Sequence, residues 1–99
     1  MKILMLCNAG MSTGMMKIKL EEAAKADGAE IEIAAKSFQL LNDYKADYDV
    51  FVLGPQVRFM KDEIQESVGD KPVIVISAQD FGMMNGKSVW QQIKESVNK

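Results

Sequence analysis

Apolar positions along this 99-residue chain alternate between short continuous runs and longer stretches with helical spacing. The first run, Ile3-Leu4-Met5-Leu6, is apolar throughout and predicts a strand over about residues 2–6, buried on both faces of a parallel sheet. Met16, Leu20, Ala23 and Ala24 then recur at helical spacing, which predicts a helix from about Ser12 to Asp27 that stops at Gly28. Glu21 and Lys25 are placed for an i,i+4 pair on its solvent side, and the lysines at 17, 19 and 25 read as a solvated face. Glu30-Ile31-Glu32-Ile33 alternates, the pattern of a half-exposed edge strand over about Glu30–Ala34. A short helix over about Ser37–Tyr44, with Phe38 and Leu41 inward, leads to a third strand, Asp49–Leu53. Val57, Met60, Ile64 and Val68 mark one face of a helix over about Val57–Val68, closed by Gly69. Pro72 introduces a fourth strand, Val73–Ile76. Ser77–Asn85 reads as a loop bearing glycine and methionine. The last helix spans about residues 86–97, with Val89, Ile93 and Val97 inward and Trp90 flanking.

Strands alternating with helices imply right-handed βαβ crossovers and an α/β, three-layer sandwich. The predicted fold is a four-stranded parallel sheet of order 2-1-3-4, flavodoxin-like, in a single domain over residues 1–99. In such a sheet the first strand is central, and ligands bind at the C-terminal edge of the strands. The ends of strands one and three and the segment Ser77–Asn85 all fall on that edge.

Composition narrows the chemistry mainly through what is missing. The chain has no histidine and one cysteine. That removes Ser-His and Cys-His dyads, histidine metal sites, dithiol chemistry and any phosphohistidine. The formal net charge of −2 carries no footprint for nucleic acid. No apolar run approaches the ~20 residues of a membrane span, and the short N-terminal run reads as a strand rather than a signal peptide. The eight methionines read as core and rim filler, and no metal or cofactor is expected. A lone cysteine fits a reducing, cytoplasmic setting.

That cysteine opens the stretch Cys7-Asn8-Ala9-Gly10-Met11-Ser12-Thr13-Gly14, which joins the first strand to the first helix. Strand, small-residue turn and helix N-terminus in that order make an anion cradle. Backbone N–H groups converge and the helix dipole adds partial positive charge. Gly10 and Gly14 allow close backbone approach, and Ser12 and Thr13 offer hydroxyls. A thiol there is favoured as the thiolate, the nucleophilic form. The candidate nucleophile is Cys7. The candidate phosphate-binding residues are Asn8, Ala9, Gly10, Met11, Ser12, Thr13 and Gly14.

Residues 1–14 resemble the N-terminus of enzyme IIB of the bacterial sugar phosphotransferase system, lactose/cellobiose (chitobiose) family. Cys7, Gly10, Ser12 and Thr13 match its Cys-x-x-Gly-x-Ser-Thr/Ser pattern. Leu53-Gly54-Pro55-Gln56-Val57 and Phe81-Gly82-Met83-Met84-Asn85-Gly86 extend the likeness over nearly the whole chain. The resemblance implies a phosphoryl carrier. Cys7 takes the group from a phosphohistidine of a IIA protein and passes it to a sugar held by the membrane-embedded IIC permease. It further implies a monomer when isolated, recruited to the inner face of the membrane by the permease. Gln56, Arg58 and Phe81 are further site or docking candidates, with Met83 and Met84 beside Phe81 as an apolar rim or as packing under their own loop.

Two alternatives use the same loop. A low-molecular-weight tyrosine phosphatase shares the cysteine loop and the parallel sheet, but closes its loop with an arginine that clamps phosphate. No arginine lies in this loop, and Asp80, the aspartate placed to serve as its acid, has no matching motif. A non-catalytic anion- or flavin-binding module, or a receiver-like domain, is the other. A receiver needs an acceptor aspartate at a strand's C-terminal end, whereas Asp49 begins the third strand, and a flavin site needs stacking aromatics beside the loop.

Overall fold

The computed structural model describes residues 1–7 and 11–98, the side chains of Met11, Ser12 and Thr13 excepted. Four strands, β1 (Lys2–Cys7), β2 (Glu32–Ser37), β3 (Val50–Leu53) and β4 (Val73–Val75), form one parallel sheet in the order β2-β1-β3-β4. The helices are α1 (Met11–Ala26), α2 (Leu41–Tyr44), α3 (Lys61–Val68), α4 (Ala78–Gly82) and α5 (Gly86–Val97), with 3-10 segments at Phe38–Leu40, Lys45–Asp47 and Pro55–Met60. The predicted fold class and strand order hold. Among the described residues no helix is long and apolar enough to cross a membrane.

Strand alternation divides the core into two layers. Ile3, Met5, Val50 and Val52 face α1 and α5, packing with Met16, Leu20, Ala24, Val89, Trp90 and Ile93. Leu4, Leu6, Phe51 and Leu53 face the other way, onto Leu41, Val57 and Ile64. Both faces of β1 and β3 are therefore covered, which is why these strands are apolar at every inner position.

Several elements differ from the sequence reading, each for a local reason. β2 starts at Glu32 rather than near Glu30, because its pairing with β1 begins at Lys2↔Glu32. Pro55 opens a 3-10 segment, and Val57 (φ −118°, ψ 21°) is non-helical, so the α-helix proper waits until Lys61. Residues 77–85 are not all loop. Ser77 Oγ accepts the Asp80 N–H at 3.0 Å and caps α4, a helix of 5 residues and too short to show apolar periodicity. Glu21 pairs with Lys17 at 3.4 Å, one turn earlier, instead of with Lys25. Trp90 does not flank the core but belongs to it, its indole N–H satisfied by Asp27 Oδ2 at 2.9 Å. Val97, expected inward, is exposed on the last turn of α5.

One close approach fixes how α5 lies on α1. A Cβ on Gly86, the first residue of α5, would stand 2.3 Å from the Lys19 carbonyl oxygen and 2.5 Å from its carbon. Only glycine permits the two helix backbones to come this near. α5 in turn seals the layer of core beneath the Cys7 side of the sheet.

Candidate functional site

Cys7 is the last residue of β1, where the sequence reading placed it just after the strand. It pairs in register with Ser37 at the end of β2. On its other side the ladder runs Leu6↔Leu53, and the Gly54 N–H donates to the Leu6 carbonyl at 3.1 Å, so Gly54 is the residue beside Cys7 on the β3 side. The thiol thus stands at the C-terminal edge of the central strand, and it is buried, with 4% of its surface exposed. α1 begins at Met11, so the amides of its first turn, from Met11 to Gly14, lack partners within the helix. Asn8, Ala9 and Gly10 lie outside the described residues, as do the side chains of Met11, Ser12 and Thr13. Gly14 falls inside α1, not in a turn, and a Cβ there would meet nothing within 4 Å. Among the described residues no neighbouring atom explains its lack of a side chain.

The remaining candidates separate. Odd-numbered residues of β1 and even-numbered residues of β3 face α1 and α5, so Cys7 and Gly54 share that face. Gly54 is extended (φ −66°, ψ 156°), a backbone any residue adopts, so space and not dihedral accounts for it. A Cβ on Gly54 would come 2.7 Å from Gln56 Oε1 and 3.9 Å from Phe81 Cε1. The Gln56 carboxamide therefore folds back over Gly54 on the thiol's side of the sheet. Phe81 is no exposed rim. It is 7% exposed and lies in the core layer below this point. Met83 is the exposed member of that segment, at 68%, while Met84 packs against the core. Arg58 is exposed and forms no ion pair among the described residues.

Two residues flanking Cys7 were not singled out from sequence. Ser37 shares its register, and the Ser37 hydroxyl accepts the Gln39 N–H at 3.3 Å to cap the following turn. Gly54 is the other, and only the strand register reveals it. The carboxylates bear on the alternatives. Asp80 accepts from Ser88 Oγ at 2.8 Å, an internal tie between α4 and α5 rather than an acid aimed at the thiol. Asp49 accepts the Lys2 N–H at 2.9 Å, at the opposite edge of the sheet from Cys7. Among the described residues no group of three or more histidine, cysteine or acidic side chains gathers where it could hold a metal.

The whole chain has clear relatives. It is 38% identical over 103 aligned residues to a galactose-specific EIIB component of Lactococcus lactis subsp. cremoris (strain MG1363), covering 97% of this chain and 95% of the relative. It is equally similar to a cellobiose-specific EIIB component of Lactococcus lactis subsp. lactis (strain IL1403), with the same coverage. To the oligo-beta-mannoside-specific EIIB component of Bacillus subtilis (strain 168) it is 34% identical, covering 92% of this chain and 90% of the relative. Among solved structures, the cellobiose-specific IIB component of Borrelia burgdorferi superposes with a TM-score of 0.77 at 37% identity, covering 100% of this chain and 94% of that one. The lactose-specific IIB domain of Streptococcus pneumoniae shares the fold, with a TM-score of 0.82 at 19% identity over 97% of this chain and 96% of that one. The family model for the lactose/cellobiose-specific IIB subunit of the phosphotransferase system matches residues 2–92. With the predicted sheet order in place and the cysteine at the end of its central strand, the chain belongs to the lactose/cellobiose-specific IIB family of the sugar phosphotransferase system.

Proposed function

We propose that Cys7 is the phosphoryl acceptor of a sugar relay. A phosphohistidine on a IIA protein donates to the Cys7 sulfur: the N–P bond breaks, an S–P bond forms, and the proton given up by the thiol balances the one gained by the imidazole. A hydroxyl of a sugar held by the IIC permease then attacks phosphorus, the S–P bond breaks, and the thiolate returns as the hydroxyl proton leaves. The sugar is of the lactose, cellobiose and chitobiose class, in keeping with relatives described as galactose-, cellobiose- and oligo-beta-mannoside-specific. The protein works in the cytoplasm, at the inner face of the membrane when its permease partner holds it there.

The observation that carries this reading is the position of the chain's one cysteine, at the C-terminal end of the central strand and four residues before a helix of 16 residues. Phosphoryl transfer asks the protein chiefly for positioning and for donors around the equatorial oxygens. The amides of residues 9–14 and the hydroxyls of Ser12 and Thr13 supply those donors in this proposal, helped by the dipole of α1. The test is intact-protein mass after incubation with a phosphorylated IIA protein, wild type beside Cys7→Ser. One phosphoryl group on the wild type alone, released only to a sugar-loaded permease, is the expected result. Labelling of Cys7→Ser overturns the assignment, and turnover of a small aryl phosphate without a stable adduct points to the phosphatase instead.

A further inference from the structure

We propose that Gly54 is a positioning residue for phosphoryl transfer: its missing side chain lets the Gln56 carboxamide lie beside Cys7, where that amide binds an oxygen of the transferring group. The inference rests on the carrier role proposed for Cys7. Sequence alone leaves both Gln56 and Arg58 as candidates, and the geometry separates them.

Strand register sets the neighbours of the thiol. Side chains opposite one another on neighbouring strands sit ~4.5–5.5 Å apart at Cβ. The β1–β3 ladder, continued one step past Leu6↔Leu53, makes Gly54 the cross-strand neighbour of Cys7, on the same face. Any other residue at 54 would fill that place with its own side chain. In its absence Gln56 Oε1 comes within 2.7 Å of where the Cβ would be. The carboxamide oxygen therefore reaches the cross-strand position next to the thiol, from two residues further along the chain, with the carboxamide carbon 3.9 Å from the same point.

What holds it there matters as much. Phe81 Cε1 lies 3.9 Å from the same Cβ position, so a buried ring forms the floor of the spot. Gln56 itself is exposed, and among the described residues its amide has no hydrogen-bond partner. Its two N–H donors are thus uncommitted, and a turn about the last side-chain bond exchanges the oxygen for the NH2 and presents them to an anion arriving at Cys7. A neutral donor suits a carrier, since it stabilises the phosphoryl oxygens without a fixed cation that would hold the group back from its next acceptor. Arg58 is exposed two residues further on, and none of the three atoms nearest a Cβ at 54 belongs to it.

The experiment is single-turnover transfer of a radiolabelled phosphoryl group from a phosphorylated IIA protein to wild type, Gly54→Ala, Gln56→Leu and the double variant. A hydrogen bond to a charged group is worth ~1.5–3 kcal/mol, so each single variant is expected to be roughly 10- to 100-fold slower. The double variant should be no slower than Gln56→Leu, because both changes remove the same contact. Melting temperatures should stay close to wild type, since the new methyl at 54 crowds only the tip of an exposed, flexible side chain and stands at ordinary contact distance from Phe81. Transfer by Gly54→Ala at the wild-type rate, or losses that multiply in the double variant, overturns the assignment. Gln56→Leu changes only a surface residue and tests the contact independently of any change at 54: a wild-type rate there is equally fatal. If the wild type takes up no phosphoryl group, the carrier role falls and this inference with it. If the wild type is charged and Gly54→Ala matches it, the positioning role alone falls.

Discussion

Replacing Gly86 by alanine tests whether the α1–α5 contact sets the packing of this domain. The added methyl would lie 2.3, 2.5 and 2.9 Å from the carbonyl oxygen, carbonyl carbon and Cβ of Lys19. Carbon atoms rest at ~3.5–4.0 Å, so the start of α5 has to retreat by about 1 Å. The obstacle is backbone in the middle of a 16-residue helix and cannot swing aside. Retreat loosens Val89, Trp90 and Ile93 from Met16, Leu20 and Ala24, all of them buried. Overpacking of this kind costs about 1–3 kcal/mol, and the higher helix propensity of alanine returns only part of it at a first helical position. A net loss of about 2 kcal/mol corresponds to a fall in Tm of ~8–16 °C for a domain of this size. The chain's one tryptophan, Trp90, sits at this interface, so its fluorescence during thermal or urea unfolding is a direct readout. A Tm for Gly86→Ala within ~2 °C of wild type would refute the reasoning and mean that α5 slides on α1 at little cost.

Gly14→Ala should behave in the opposite way. A Cβ there meets nothing within 4 Å, so alanine is expected to raise stability by about 0.5–1 kcal/mol through helix propensity while slowing phosphoryl uptake, if Gly14 belongs to the phosphate-binding face. Unchanged uptake in the more stable variant would remove Gly14 from the site. At the far end of α1, the Lys94 ammonium and then the Trp90 indole N–H, both bonded to Asp27 Oδ2, hold the Asp27 carboxyl below its ordinary value of 3.8. A carboxyl depressed on folding adds stability above its unfolded value and loses it as pH falls through the folded one. Asp27→Asn should therefore be less stable than wild type near neutral pH, with the gap closing in acid. Urea midpoints measured at about pH 7 and about pH 3 check this, and a gap independent of pH would refute it.

The parts legible from sequence are those decided by burial. β1 and β3 are apolar at every inner position because both faces are covered, and that pattern needs no knowledge of their partners. The parts that escape depend on a partner distant in sequence. Trp90 reads as a flanking residue until Asp27 is seen to satisfy its N–H. The start of β2 follows from its pairing with Lys2 and not from the alternation that precedes it. α4 is signalled only by Ser77 and Asp80, an N-cap without periodicity behind it. The site divides along the same line. Cys7 announces itself through the turn that follows, whereas Ser37 and Gly54 become its neighbours only through register. Phe81 reads from sequence as either rim or packing, and the core layer shared with α5 claims it.

The placement of β1 in the middle of the sheet has a consequence for synthesis. β1 is the first strand to leave the ribosome, yet it is bordered by β2 and β3, and the Asp49 carboxylate that takes the Lys2 N–H lies 47 positions downstream. At ~5–20 residues per second, several seconds pass between the appearance of Cys7 and that of the strand completing its surroundings. Contacts so far apart in sequence also bear the largest loop-closure entropy and form late. Cys7 is therefore the earliest part of the candidate site to be made and among the last to be enclosed. Until β3 has emerged the Cys7 side chain lacks the neighbours that leave it 4% exposed in the folded chain, so a thiol reagent should label nascent chains faster than the folded protein.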